Sequence, residues 1–154
     1  MKKLVLSLIA VFAVSFIYAQ TVDDYVELVR TQLKADKKVV VAEVLQLQPG
    51  EGDLFWPLYD EYNSSMYTIQ TKRVKLIKDF AESYENMTAE KADELVLKML
   101  SVKQELLTLD KKYYSKFKKV LPVTKVATYF QLENKIETLV NAKLAVEIPL
   151  LQGK

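Results

Sequence analysis

Glu90 with Glu94, and Glu133 with Glu137, place two carboxylates one helical turn apart, a spacing that suits general acid/base work or a hard cation. Either chemistry would have to run without cysteine or histidine, since the chain contains neither. That composition removes the thiol nucleophile, the Ser-His-Asp triad and the usual zinc ligand sets, and oxygen-only donors suit zinc or copper poorly. Gly50-x-Gly52 lacks the third glycine and the preceding strand of a dinucleotide loop, and there is no Walker sequence. Lysines lie near both carboxylate pairs, so solvated helix faces explain them without a site. The sequence points to a non-enzymatic protein that needs no cofactor.

What remains is the chemistry of surfaces. Nine Tyr, six Phe and one Trp offer apolar contact area, and each Tyr adds a polar tip. Trp56, Tyr59, Tyr67, Leu107, Tyr114 and Leu121 are the candidates for contact with a client or partner, with core packing as the competing use of each. Basic residues cluster at Lys72, Arg73, Lys75 and Lys78, and again at Lys111, Lys112, Lys116, Lys118 and Lys119. They could meet acidic segments of a client or an anionic lipid surface; solvated helix faces are the plainer reading. Asn63-Ser64-Ser65 and Asn86-Met87-Thr88 match the glycosylation sequon, and Thr88 also suits a helix N-cap.

The elements that must position these residues follow a leader. Lys2 and Lys3, the apolar run Leu4 to Ile17, and Ile17-Tyr18-Ala19 before Gln20 have the form of a cleaved secretory signal over residues 1–19. The apolar run, about fourteen residues, is shorter than the roughly twenty that span a bilayer. An exported protein, periplasmic or secreted, with no transmembrane segment in its mature chain is expected. The precursor has 22 basic and 20 acidic residues, and loss of Lys2 and Lys3 leaves the mature chain formally neutral. That balance argues against a nucleic-acid partner. Residues 20–154 suit one domain, held by packing alone in the absence of disulfides.

Long segments rich in Lys, Glu, Leu, Ala and Gln lie between sparse Gly and Pro markers, which predicts four helices over about 22–46, 53–85, 89–120 and 123–147. Val39-Val40-Val41 shares a helical period with Leu33, Val44 and Leu47 and is read as helix. In the third helix Ala92, Met99, Leu106, Tyr113 and Val120 recur at heptad spacing, and Leu95, Val102 and Leu109 fill the complementary position. A second row, Leu100, Leu107, Tyr114 and Leu121, lies about 100° away around that helix. The second helix doubles in the same way: Phe55, Leu58, Tyr62, Met66, Ile69, Leu76 and Phe80 lie beside Trp56, Tyr59, Tyr67 and Val74. Such wide arcs fit either an intramolecular core or an apolar face for a partner or second copy.

Two segments then carry a family likeness. Leu47-Gln48-Pro49-Gly50-Glu51 followed by Phe55-Trp56-Pro57-Leu58-Tyr59, and Leu121-Pro122-Val123-Thr124-Lys125 leading into Val126 to Glu133, resemble the two LTxxQ motifs of the Spy/CpxP group of periplasmic proteins. The motif positions are Leu47, Glu51, Leu121 and Lys125; Gln48 and Pro122 stand where the motif has threonine, Glu51 and Lys125 where it has glutamine. The resemblance implies an all-α, elongated, bent helical hairpin, often a cradle-shaped homodimer. It also implies ATP-independent holdase activity toward unfolded proteins, or extracytoplasmic stress sensing. A helical adaptor or sensor for one specific envelope partner is the alternative function.

Overall fold

The computed structural model describes residues 37–151, so the leader over residues 1–19 and most of the expected first helix, residues 22–36, lie outside the described residues. Helix α1 occupies 37–45, α2 is Glu51–Ser83, α3 is Ala89–Phe117 and α4 is Val123–Glu147. A short 3-10 turn, Tyr84–Asn86, follows α2. The described residues are 86% helical and contain no strand, which makes the fold all-α.

Local chemistry sets the ends of these helices. Gly50 has φ 87°, a left-handed conformation that costs an L residue about 1–2 kcal/mol, and α2 starts immediately after it. The helix therefore begins at Glu51 rather than at the expected 53. Thr88 caps α3 as expected, its Oγ1 accepting the Lys91 N–H at 3.2 Å. At the far end, the Lys119 and Leu121 N–H groups bond the Lys116 and Phe117 carbonyls, closing a tight turn. Because of that turn α3 stops at Phe117, three residues short of expectation, and the chain re-enters a helix directly after Pro122.

Helices α2 and α3 form an antiparallel hairpin: Tyr62 bonds Asp110, Lys116 reaches Glu61 and Lys72 reaches Glu105. Thirty-three residues give α2 a length of about 50 Å. Helix α4 runs parallel to α2, with Tyr129 against Phe55 low in the hairpin and Arg73 bonded to Asn141 higher up. Helix α1 runs against both, its Lys37 held by Asn63 and Glu133.

The core is aromatic. Phe55, Tyr62, Phe117, Val41, Val126 and Tyr129 are the largest side chains buried to completion or nearly so. On α3 the buried residues are Leu95, Val102, Leu109, Tyr113 and Phe117, so the seam follows the complementary heptad position and then shifts to four-residue steps. A 3.6-residue helix drifts against a 3.5-residue repeat, which explains the shift. Met99, expected on the leading heptad position, is 41% exposed, since the seam around it follows Leu95 and Val102.

Candidate functional site

The two motif-like segments meet in space. Glu51, in the first turn of α2, and Lys125, in the first turn of α4, form an ion pair at 2.6 Å although 74 residues separate them. Lys125 Nζ also donates to the Gln46 carbonyl at 3.0 Å, and Glu51 accepts the Gln48 N–H at 2.7 Å. Gln46 itself adopts φ 44°, so the pair clamps the strained linker between α1 and α2. A helix N-terminus favours an anion and disfavours a cation, so Glu51 suits its place and Lys125 needs the neighbouring carboxylate. The Lys125 ammonium, hydrogen-bonded to Glu51, holds that carboxyl below its ordinary value, with the Gln48 N–H helping and burial opposing. Leu121 is buried and Leu47 half-buried beside this junction. The side chains of Lys125 and Glu51 are 22% and 18% exposed and engaged with each other.

The six candidate contact residues separate into three groups. Tyr59 and Leu121 are 4% and 5% exposed and belong to the core, the competing use named for each. Burial pushes the Tyr59 hydroxyl pKa up, with the Glu133 and Asp60 charges adding to the effect. Trp56 is half-buried, edge-on to Phe55 and Tyr59, with Lys38 Nζ 5.1 Å from its ring centre. The remaining three are exposed: Tyr67 on α2, and Leu107 and Tyr114 on α3.

Leu107 and Tyr114 belong to a longer row. Val96, Leu100, Leu107 and Tyr114 follow one face of α3 and are 39–51% exposed, with Lys103 and Lys111 between them. Leu97 and Met99 widen the patch at its upper end. Tyr114 packs its ring edge on Phe130 of α4, and Lys118 Nζ stands 4.5 Å from the Tyr114 ring centre. Above Phe130, α4 accepts a hydrogen bond from Lys37 of α1 at Glu133 and from Arg73 of α2 at Asn141, while Tyr84 of the 3-10 turn donates to the Leu150 carbonyl. Along this face Lys103 separates Leu100 from Leu107, and Lys111 separates Leu107 from Tyr114, so apolar and basic side chains alternate.

A groove of about 380 Å³ lies on the other side of the hairpin, walled by Met66, Gln70, Arg73, Val74 and Ile77 of α2 and by Ile136, Val140 and Leu144 of α4. Its lower end is polar. Lys37 and Glu133 pair at 2.7 Å with side chains only 12% and 13% exposed. Tyr62 donates to Asp110 at 2.8 Å. Burial, reinforced by the Glu133 charge, pushes the hydroxyl pKa of both Tyr62 and Tyr129 well up. Tyr129 Oη and Glu133 Oε1 are buried without a well-aligned hydrogen bond, yet interact across one turn of α4, near each other but poorly oriented.

The carboxylate pairs do not converge. Glu94 is taken by Lys91 and Lys98, Glu133 by Lys37, and Glu137 stands on the groove wall. Among the described residues no three metal-ligating side chains come together. The basic clusters are likewise divided: Lys72 pairs with Glu105, Lys75 with Asp79 and Lys116 with Glu61. Among the described residues no helix is long and apolar enough to cross a membrane. Sequence reasoning missed Lys37 and Asp110 as polar anchors, since a lone lysine or aspartate in a charged segment carries no signal of its distant partner. Compared with family models, curated proteins and solved structures, the chain matches none of them.

Proposed function

We propose that this protein is an exported, ATP-independent holdase or stress-response protein of Spy/CpxP type that binds unfolded clients through the open face of α3. The observation that carries the reading is the row Val96, Leu100, Leu107 and Tyr114, exposed on a helix whose other face is locked into an aromatic core. A holdase needs apolar area that stays available without unfolding the holder, and charges that keep the complex soluble. The row provides the first, and Lys103 and Lys111 within it provide the second. Contact by half-exposed leucines is weak per residue, about 1 kcal/mol each, which allows release without a nucleotide cycle. The degenerate motif positions contribute to the fold through the Glu51–Lys125 clamp and not to client contact.

The alternative, an adaptor or sensor for one envelope partner, would use the same face. A homodimer built on α3 would also cover it. The mature chain, from Gln20 onward, is tested for suppression of aggregation of several unrelated denatured proteins at stoichiometric amounts without ATP. Protection of all of them supports the holdase. Protection of none, together with tight binding of a single envelope protein, replaces it with the adaptor. Sedimentation at client-assay concentrations decides whether the working form is a dimer.

A further inference from the structure

We propose that the outer face of α3 is a docking surface for an anionic lipid bilayer. Val96, Leu100, Leu107 and Tyr114 run along the ridge of the helix, and Lys103, Lys111 and Lys118 stand within about 40° of the same line. All of them are exposed. Between Leu95 and Lys119 the helix carries seven lysines and two carboxylates, and neither carboxylate neutralises the face. Glu105 is held by Lys72 of α2 at 2.6 Å, and Asp110 accepts from the buried Tyr62 hydroxyl at 2.8 Å. Glu90 and Asp93 lie before the row, in the opening turns, where a helix N-terminus suits them. Among the described residues Lys103 and Lys111 have no ion-pair partner, and the Lys118 ammonium stands over the Tyr114 ring, 4.5 Å from its centre. Residues 20–154 are formally neutral, so this positive charge is local to α3 rather than a property of the chain.

Charge and shape together select the occupant. Apolar side chains flanked by lysines on one helix face are what an interfacial helix presents to a membrane. The apolar row enters the boundary between headgroups and acyl chains, and the lysine stems bend back to set their ammonium groups among the phosphates. Tyr114 suits that depth, with an apolar ring and a polar tip. From Val96 to the C-cap Lys118 the face runs about 33 Å along one uninterrupted helix. A plane meets the whole of that convex ridge at once, whereas a peptide strand would touch it along one edge. The leucines can enter lipid without unfolding the protein, because Val102, Leu109, Tyr113 and Phe117 on the opposite side of α3 stay locked in the core. Each lysine near an anionic surface contributes about a fivefold gain in partitioning, so Lys103, Lys111 and Lys118 together supply about a hundredfold. The proposal uses the same face as the holdase reading but does not rest on it: the vesicle measurement contains no client and the aggregation assay no lipid, so either can fail alone.

Flotation of residues 20–154 with vesicles tests it. Vesicles of phosphatidylcholine with about 30% phosphatidylglycerol should bind the protein about a hundredfold more tightly than vesicles of phosphatidylcholine alone. Raising salt from about 0.1 M to about 1 M cuts the Debye length from about 10 Å to about 3 Å and should weaken that binding at least about tenfold. Lys103→Gln, Lys111→Gln and Lys118→Gln combined should lower binding about a hundredfold, to the level of the neutral vesicles. The charge-matched control, Lys75→Gln, Lys98→Gln and Lys135→Gln, removes the same charge away from the face and should stay within about threefold of wild type. Circular dichroism shows whether both triple variants keep their helices; if either does not, Lys103→Gln and Lys111→Gln alone should each cost about fivefold and Lys98→Gln alone almost nothing. Failure to bind the anionic vesicles at about 0.1 M salt, or equal loss in the face and control variants, would overturn the proposal. The first of these, together with binding to polyglutamate through the same three lysines, would put an acidic protein segment in place of the lipid.

Discussion

Replacing Phe117 by Ala should remove the centre of the fold. Phe117 is 0% exposed and its ring meets five others: Phe55 at 5.3 Å, Tyr62 at 6.1 Å, Tyr113 at 6.0 Å, Tyr129 at 5.2 Å and Phe130 at 6.3 Å. Burying a large apolar side chain and avoiding the cavity it would leave is worth about 3–5 kcal/mol in a Phe→Ala change. Ring pairs add about 0.5–1.5 kcal/mol each beyond area, without adding fully. The rigid helices around the site collapse little, so the upper part of that range applies, about 5 kcal/mol. A single domain has about 5–15 kcal/mol in total, so the variant should stand near or beyond the limit of folding. Phe80 is the control: half-buried, it touches one ring, Tyr84 at 5.6 Å, and its loss should cost about 1–2 kcal/mol. Urea unfolding of residues 20–154 followed by helical circular dichroism measures both. A midpoint for Phe117→Ala as high as that for Phe80→Ala would refute the assignment of the six-ring cluster as the core.

Two hydroxyls in that core should behave oppositely. Tyr62→Phe gives up the bond to Asp110 and should lower stability by about 1.5–2 kcal/mol, while Tyr129→Phe removes a buried hydroxyl without a well-aligned partner and should cost under about 0.5 kcal/mol, both read from urea midpoints. Lys37→Met leaves the Glu133 carboxylate largely buried without its cation and should cost about 3 kcal/mol, while the double change with Glu133→Gln should recover most of it. The clamp at the helix junction should show as pH dependence. Glu51 has its folded pKa held below the ordinary 4.5, so its contribution is fully present above that value and is lost as pH falls through the lower folded pKa. The difference in unfolding midpoint between wild type and Glu51→Gln should therefore be constant from neutral pH down to about 5 and shrink below it; a difference that grows on acidification would contradict the clamp.

Helix number, type and order were readable from periodicity and from the placement of Gly and Pro, because the segments are long and their good helix formers uninterrupted. The ends were less so. The start of α2 depends on the left-handed backbone of Gly50 and the end of α3 on a tight turn at Phe117, and neither is a matter of composition. The two apolar rows were visible, but not which one faces inward. On α3 the Leu100, Leu107 and Tyr114 row stays outside, whereas on α2 Tyr59 of the corresponding row turns into the core. That choice is made by the position of α4, which packs its aromatic end on Phe55, Tyr59 and Tyr62. Pattern within one helix carries no information about the approach of another. The same holds for Glu51 and Lys125: nothing in the sequence couples two residues 74 positions apart, and only the fold brings them together as an ion pair.

The function proposed for the α3 face rests on whether that row binds clients. Leu100→Ser with Leu107→Ser, at positions 51% and 46% exposed, should change folding stability by only about 0.5 kcal/mol each. In contact with a client the same changes should cost about 2 kcal/mol together, a weakening of about thirtyfold. Light scattering of a denatured client diluted into buffer, with residues 20–154 at a stoichiometric amount and no ATP, measures the difference. Wild type should suppress scattering while the folded double variant does not. Equal suppression by the two proteins, or none by either, would contradict client binding on α3.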